Sequence, residues 1–348
     1  METHHARAYG IALGFLADAA FADPAHGHPV AVFGSIAARV EAMTYPRTGA
    51  PHARFRGVLY TVALVGGAGL GVRVLDVALV SRPALRVAVT ATTVWACLGG
   101  TSLLRIAGRH ADLLENSDVA GSRELLPWLC GRDPVALGAG QLARAVVESV
   151  AENTSDAAVA TLFWGAVAGP AGAAAHRAAN TLDAMVGHRC ARYAEYGWAS
   201  ARLDDLLGWP AARLAGLLTA GLAPLVGGRS AGALRAWRRD AGSHPSPNAG
   251  VVEAACAGAL GVRLGGPTPY SYGVEQRPRL GRGPAPRPSD IRRAVRLMRA
   301  VQVGAATGCV LVLVACSRRA GDTARRDQVR RRSARRNARR CSASWRSP

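Results

Sequence analysis

The sequence predicts an all-α protein, built as a polytopic bundle of membrane-spanning helices. Three uncharged stretches, over 87–104, 157–175 and 300–316, are 17 to 19 residues long. A helix needs about 20 mainly apolar residues to cross a bilayer. The stretches are rich in Ala and Gly, which allow helices to pack closely in a membrane. Few segments alternate as strands do, so the functional residues are expected on polar helices and loops of the bundle.

The N-terminal part begins with an apolar helix, followed by a loop of Pro, His and Gly over 23–34. The first 22 residues are similar to a signal peptide, but Asp18 interrupts the apolar run. An uncleaved first helix is therefore favoured over a signal peptide. Two apolar helices are predicted within 55–80 and 87–104.

A polar stretch over 105–140 is predicted to connect these helices to the rest of the chain through short helices. Residues 141–228 are predicted to be helical and carry most of the unusual polar side chains. Residues 240–290 are rich in Pro and Gly and predict a long structured loop, which is more often functional than idle. An amphipathic helix and an apolar run follow over 290–316.

All 43 basic residues are Arg, and the formal net charge is +20. A phosphate-binding loop of the Walker-A type uses a Lys, and pyridoxal-phosphate enzymes form a Schiff base with one. The absence of Lys excludes both classes. Residues 317–348 hold 12 Arg and two Asp and almost no apolar residues. They predict a disordered tail without assigned function, and no nucleic-acid partner is expected.

Two polar stripes flank the apolar stretch at 157–175. Before it, polar residues recur every four positions and so lie on one helix face; they are Arg144, Glu148, Glu152 and Asp156. After it, a second set also lies on one helix face, namely His176, Asn180, Asp183 and Gly187. Gly169-Pro170 should break the helix between them. Asp156 and Asp183 each lie 13 residues from this turn, roughly 20 Å along a helix. An antiparallel hairpin would bring both acids to one level.

The alternative interpretation of each stripe is a solvated face with Arg–Glu pairs, and for Arg144 and Glu148 alone it is the favoured one. For both stripes together a functional site is favoured, because ionisable groups at a membrane boundary are costly and usually functional.

Two further motifs are ambiguous when read from their residues. Arg202 beside Asp204 and Asp205 suits Mg²⁺ bound to a phosphate, although an Asp pair is more often a helix N-cap. The run HPSPNAG at 244–250 is either a functional loop or the start of a helix over 249–262.

Six motifs together resemble the adenosylcobinamide-phosphate synthase family, a group of membrane proteins of cobalamin biosynthesis. They are DPAHGHPV at 23–30, ESVAENT at 148–154, NTLDAMVG at 180–187, YGWASARLDD at 196–205, HPSPNAG at 244–250 and GALGVRLGG at 258–266. The resemblance covers about residues 8–316. It defines one membrane-embedded synthase domain over 1–316. The departures are Ala22, where the family usually has Gly, and the Arg-rich tail over 317–348.

The resemblance implies an ATP-dependent ligase that forms an amide. The propionate of adenosylcobyric acid would be joined to (R)-1-amino-2-propanol or its O-phosphate, through an acyl phosphate and with Mg²⁺. The expected location is the bacterial inner membrane, with several spans and the active site facing the cytoplasm. The expected partners are the corrinoid, the amine, the lipid bilayer and other late cobalamin-assembly enzymes.

Residue chemistry then suggests roles for the polar side chains. Without Lys, the phosphate clamps must be Arg, and the metal needs acids. The candidate catalytic residues are Glu152 as general base, Asp156, Asp183 and His244. The candidate ATP- or substrate-binding residues are Arg177, Arg189, Arg202, Asn180, Asn248 and His28. The candidate metal ligands are Asp156, Asp183, Asp204 and Asp205.

Two rival functions differ in class. A membrane transferase acting on polyprenyl or CDP-alcohol substrates would use Asp-rich motifs, but the run NTLD at 180–183 offers a single Asp. A non-enzymatic scaffold for the late corrin-assembly enzymes would explain the helices and basic loops, but it would leave the clustered acids without a role.

Overall fold

The computed structural model describes residues 3–24, 27–45, 52–188, 190–270 and 273–344, with the backbone alone after residue 319. Helices dominate this described part, and a two-stranded sheet accompanies them. The helices are α1 (Thr3–Phe21), α2 (Pro29–Thr44), α3 (Ala53–Ala78), α4 (Pro83–Cys97), α5 (Gly100–Glu115), α6 (Val119–Leu125), α7 (Ala139–Asn153), α8 (Ala160–Val186), α9 (Trp198–Leu222), α10 (Ser230–Asp240), α11 (Ala249–Leu260) and α12 (Pro288–Ser344). The strands are β1 (Leu264–Tyr270) and β2 (Gly273–Leu280), which pair antiparallel.

Five helical segments in the described residues are long and apolar enough to cross a membrane. They are Ala53–Ala78, Pro83–Glu115, Ala139–Val186, Trp198–Val226 and Pro288–Arg319. On α3, large apolar side chains such as Val62, Leu70 and Val74 are exposed. An extended apolar surface of this kind is typical of a face that contacts lipid or protein. The predicted class, a polytopic bundle of membrane helices, is confirmed.

The segment Ala139–Val186 reverses direction at Gly169. Gly169 has φ 73° and ψ −164°, a conformation that is essentially restricted to glycine. Arg7 of α1 lies at this turn, where its Nη1 donates a hydrogen bond to the carbonyl oxygen of Val167 at 3.3 Å. Since the helix on each side of Gly169 contributes an acid to one cavity, the segment is the helical hairpin that the sequence predicts.

The main hydrophobic core joins α1, α4, α5, α7, α9, α11 and α12. Ala8 and Ile11 of α1 are fully buried in it, so α1 is an integral part of the bundle. A second, smaller core is formed where α2, α3 and α8 meet Tyr196. The first arm of the hairpin contributes Leu162 to the main core, and the second arm contributes Leu182 to the smaller one, so both cores hold the hairpin in the bundle.

Several predicted boundaries were wrong. Helix α2 begins at Pro29, inside the predicted loop over 23–34, because Pro suits the first helical turn and the His28 side chain accepts a hydrogen bond from the Val30 amide. The predicted helix over 87–104 is broken between α4 and α5, where Gly99 has φ 115°. The long loop over 240–290 contains α11 and the β-hairpin of β1 and β2.

The Arg-rich tail also differs from the expectation of disorder. Helix α12 continues through it to Ser344. Ala and Arg are among the best helix formers, and the segment after Gly321 contains neither Gly nor Pro up to that point. Composition had suggested disorder because the tail has little to bury, but this does not prevent a helix that simply extends α12.

Candidate functional site

A cavity of about 470 Å³ lies where the helical hairpin meets α9 and the β-hairpin. Five carboxyl groups line it, those of Glu152, Asp156, Asp183, Asp204 and Asp205. We call these five residues the acidic wall. They come from α7, the segment that follows it, α8 and α9. A group of acids that is distant in sequence and shares one cavity is able to bind cations or exchange protons.

The turn at Gly169 explains why two of these acids meet. In a straight helix, Asp156 and Asp183 would lie about 40 Å apart at 1.5 Å per residue. Because the chain reverses, both line the same cavity. The equal spacing of the two acids from the turn is therefore sufficient to place them together.

Asp156 belongs to a π-helix, Thr154–Val159, inserted between α7 and α8. Such π-bulges appear frequently at functional sites. The side-chain oxygens of Thr154 and Ser155, and one carboxylate oxygen of Asp204, are buried without a hydrogen-bond partner among the described residues. Of the three residues, Asp204 lines the cavity. Buried polar atoms are normally satisfied, so its oxygen indicates that the site accommodates water or a ligand.

The acidic wall fits a hydrated Mg²⁺, but it is not a preassembled metal site. In the described ranges, no three side chains of His, Cys, Asp or Glu lie close enough together to hold one ion. The four predicted metal ligands, Asp156, Asp183, Asp204 and Asp205, share the cavity without forming such a cluster. Mg²⁺ usually binds one or two carboxylates and keeps several waters, and the unsatisfied oxygen of Asp204 is available for it.

Basic side chains line the same cavity, and we call them the basic wall. Arg132, in the loop before α7, and Arg277, on β2, both line it together with Tyr270 at the end of β1. Arg132 pairs with the buried Glu148 through Nη2. Burial opposes the charge of Arg132, but the adjacent carboxylate of Glu148 outweighs it, so the pKa of Arg132 is raised. The Arg132 guanidinium therefore stays charged.

Arg277 is held by two neutral partners. Its Nη2 donates to the Tyr270 hydroxyl at 3.0 Å, and its Nη1 lies 3.2 Å from Nε2 of His244. Burial disfavours the charge on Arg277, but the Tyr270 hydrogen bond and the nearby Glu253 and Glu152 outweigh burial and raise its pKa.

His244 is therefore a support for Arg277 rather than a residue of the cavity lining. Burial, opposed by a backbone hydrogen bond to Ser246, lowers the His244 pKa. Nδ1 of His244 lies 3.1 Å from both the amide nitrogen and the carbonyl oxygen of Ser246, and Nε2 accepts from Arg277.

The two predicted amide residues are placed differently. Asn180 lines the cavity, where its Oδ1 accepts from Nη1 of Arg177 at 3.4 Å. Asn248 also lines it, but both ends of its amide are used by the protein. Its Oδ1 accepts from Arg213 at 2.9 Å, and its Nδ2 donates to the carbonyl of Asp205 at 2.8 Å. Asn248 thus fixes the loop before α11 against α9.

The remaining predicted binding residues do not line this cavity. His28 bonds Asp23 at 3.3 Å and caps α2. Arg177 faces a smaller cavity beside α2 and α4. The side chain of Arg202 is 62% exposed and lies 3.8 Å from Asp205. Arg189 lies outside the described residues.

Arg144 and Glu148 pair at 3.9 Å, as expected, but the pair is buried rather than solvated. Glu148 is 3% exposed and accepts from the Gly265 amide at 2.6 Å, as well as pairing with Arg132. Arg144 donates to the carbonyls of Gly265 and Pro267. These residues hold the β-hairpin against α7. The partners are distant in sequence, so helix spacing alone could not reveal them.

Sequence reasoning also missed the basic wall. Arg132, Tyr270 and Arg277 belong to no stripe, and Glu253 lies in an apolar helix. The sequence signal that could have revealed these residues is Glu253, because a carboxylate within an apolar helix needs a partner. Burial and nearby Glu148 and Glu152 raise the pKa of Glu253 well above its usual value.

Comparisons with known proteins identify the family. The model of the family described as CobD/Cbib protein matches residues 11–298. A Mycobacterium tuberculosis protein named "Cobalamin biosynthesis protein CobD" is 52% identical over 314 residues, which cover 90% of this chain and 97% of the relative. A protein of the same name from Rhodobacter capsulatus is 42% identical over 280 residues, covering 80% and 87% of the two chains. No solved structure matches the chain significantly. Since the family model spans most of the sequence, the chain belongs to the CobD/Cbib family.

Proposed function

We propose that this protein acts in cobalamin biosynthesis, as an ATP-dependent ligase that joins the free propionate of adenosylcobyric acid to (R)-1-amino-2-propanol or its O-phosphate. The observation that carries the proposal is the cavity with an acidic and a basic wall in a chain of the CobD/Cbib family. Phosphoryl transfer depends on positioning and on neutralising charge with metal ions and Arg. A cavity with both kinds of side chain supports this chemistry.

The reaction divides into two steps. First, a carboxylate oxygen of the corrinoid attacks the γ-phosphorus of ATP, and ADP leaves with the electron pair of the broken bond. Second, the amine nitrogen attacks the acyl carbon, phosphate leaves and the nitrogen loses a proton. Mg²⁺ would neutralise phosphate charge when bound. The chain would hold it through Asp156, Asp183, Asp204 or Asp205, and Glu152 is suited to accept the proton.

In a membrane protein the cavity must open to one side of the bilayer. We propose the bacterial inner membrane, with the cavity open to the cytoplasm, because ATP is supplied on that side. The corrinoid and the amine would enter from the same side, and other late cobalamin-assembly enzymes are the expected protein partners. The five apolar segments support a multi-pass arrangement.

The test is direct assay of membranes that contain the protein. Adenosylcobyric acid, ATP and Mg²⁺ are supplied with either amine, and the corrinoid product is identified by mass. A matched preparation of the Asp156→Asn variant serves as control. ATP hydrolysis that requires both corrinoid and amine is expected. A corrinoid product that forms without ATP contradicts the proposal. The absence of a corrinoid product with either amine also contradicts it and favours a scaffold.

A further inference from the structure

Two guanidinium groups on the basic wall have nitrogen atoms without partners. Nη1 of Arg132 and Nε of Arg277 are buried and make no hydrogen bond within the part of the chain that the structure describes, although Nε of Arg277 faces the Glu275 carboxylate at 3.7 Å. The Arg132 side chain is only 10% exposed. A buried donor that stays unpaired is costly, so these atoms indicate a ligand that supplies acceptor oxygens.

Arg277 makes its hydrogen bonds to neutral groups, and the nearby acids Glu152 and Glu253 act on it at longer range. Its two hydrogen-bond partners, Tyr270 and His244, are neutral. The nearest ion-pair contact is with Glu275, whose carboxylate lies 3.7 Å away and whose side chain is 46% exposed. An exposed pair at this distance contributes little. Arg277 therefore carries charge that an incoming anion can use.

The basic wall is open to a ligand from outside. Arg277 and Tyr270 also line an adjoining cavity of about 720 Å³, together with Gly131. The two cavities share these residues, so an anionic group can reach the guanidinium from the larger cavity while the rest of its molecule extends toward the acidic wall.

We propose that Arg277 and Arg132, with the Tyr270 hydroxyl, form the binding site for a phosphoryl group. This inference rests on the proposed function and deepens it, because it assigns the phosphate clamps to the loop before α7 and to the β-hairpin. A guanidinium presents several donors in a planar fork that matches phosphate oxygens. The phosphoryl group belongs either to the nucleotide or to the phosphorylated amine.

The variant Arg277→Gln tests the site, with Arg279→Gln as matched control. Arg279 is an exposed residue of the same strand, so its substitution removes the same charge without touching the cavity. The first readout is thermal stabilisation of the detergent-solubilised protein by pyrophosphate, since a ligand raises stability according to its affinity. We expect pyrophosphate affinity to fall by roughly 10- to 100-fold in Arg277→Gln and to stay unchanged in Arg279→Gln.

The second readout is kinetic and separates the two sources of phosphate. A higher KM for the phosphorylated amine, with no change for the free amine or ATP, assigns the site to the amine phosphate. A higher KM for ATP with either amine assigns it to the nucleotide. Unchanged pyrophosphate binding in Arg277→Gln overturns the inference, whether or not the protein proves to be a ligase.

A variant that retains the charge guards against misfolding. If Arg277→Gln does not fold, Arg277→Lys keeps the positive charge but loses the planar fork and is expected to weaken pyrophosphate binding several-fold. Binding equal to that of the unsubstituted protein would overturn the inference. Because pyrophosphate binding needs no corrinoid, a failed ligation assay leaves this test intact.

Discussion

Successive turns of one helix face have opposite environments in this protein. Arg144 and Glu148 lie one turn apart on α7, and Glu152 and Asp156 continue the same spacing. The first two are bound by Arg132 and by backbone groups of the β-hairpin. The next two line a cavity among three further acids. Equal spacing and similar side chains thus give a structural anchor in one turn and a candidate reaction centre in the next.

The difference comes from what faces each turn. The β-hairpin covers Glu148 and supplies a donor to it, whereas Asp156 lines a cavity beside other acids. A buried carboxylate with partners stabilises a fold, and one without partners is available to a substrate or a metal. The comparison therefore separates the stripe into residues that should affect stability and residues that should affect activity.

The largest effect is expected for Asp156 and Asp183, the two acids on the arms of the helical hairpin. Asp156→Asn or Asp183→Asn should lower the ligation rate by roughly two to three orders of magnitude, as does the loss of an electrostatic contact to a transition state. The double substitution should be little worse than either single one, because residues that act as a unit are not additive. The measurement is the rate of corrinoid product formation in membranes.

Asp112→Asn is the control for these substitutions. Asp112 is exposed and binds Arg292, which also binds Glu115, so the loss of one surface pair should change little. Fully additive losses for Asp156 and Asp183 would show that the two carboxylates act separately.

The next effect is on stability rather than on activity. Glu148→Gln leaves the Arg132 guanidinium without its ion pair in a buried site, and the breaking of a buried pair costs about 3–5 kcal/mol. Thermal unfolding in detergent should show a clear decrease. Glu152→Gln, one turn later, should retain stability because it removes one of several like charges, and it should slow ligation. Equal stability of the two variants would contradict the assignment of Glu148 to stability and of Glu152 to activity.

A smaller effect concerns the pH dependence of stability. The pKa of Glu253 is raised above its ordinary value by burial and by neighbouring Glu148 and Glu152. The folded protein therefore binds this proton more tightly than the unfolded chain. Its stabilising effect is complete below the unfolded pKa and is lost as pH rises through the folded pKa.

Glu253→Gln imitates the protonated side chain and should remove this part of the pH dependence. Thermal unfolding at pH 5 and pH 8 measures it, and the variant should gain stability relative to the unsubstituted protein at the higher pH. The same loss of stability between the two pH values in both proteins would contradict the raised pKa.

The smallest effect is expected for the tail. The family model ends at residue 298, and the tail follows the last apolar stretch, so deletion after Cys316 should leave ligation unchanged. Specific activity is compared for full-length and truncated protein in equal membrane amounts. A large loss in a truncated protein that still inserts would give the C-terminal extension of α12 a function.

Much of the bundle could be predicted from periodicity, because apolar runs and breaks are local properties. The hairpin was also predictable, since Gly169 and two acids at equal spacing are readable in the sequence. The β-hairpin was not, because β1 and β2 contain Pro and Gly and lack strand alternation. The π-helix carries no composition signal. The hydrogen bond from the Gly265 amide to Glu148 joins residues that are 117 positions apart.

The contact between Arg7 and the hairpin turn also has a consequence for the order of synthesis. Arg7 emerges 160 residues before Val167, the carbonyl that it binds. At about 5–20 residues per second, roughly ten to thirty seconds separate the two. Helix α1 must therefore stay available to the bundle until its partner has been synthesised. An N-terminal fusion that draws α1 away would leave the turn without its cap, and the candidate site would be disturbed from the far end of the hairpin.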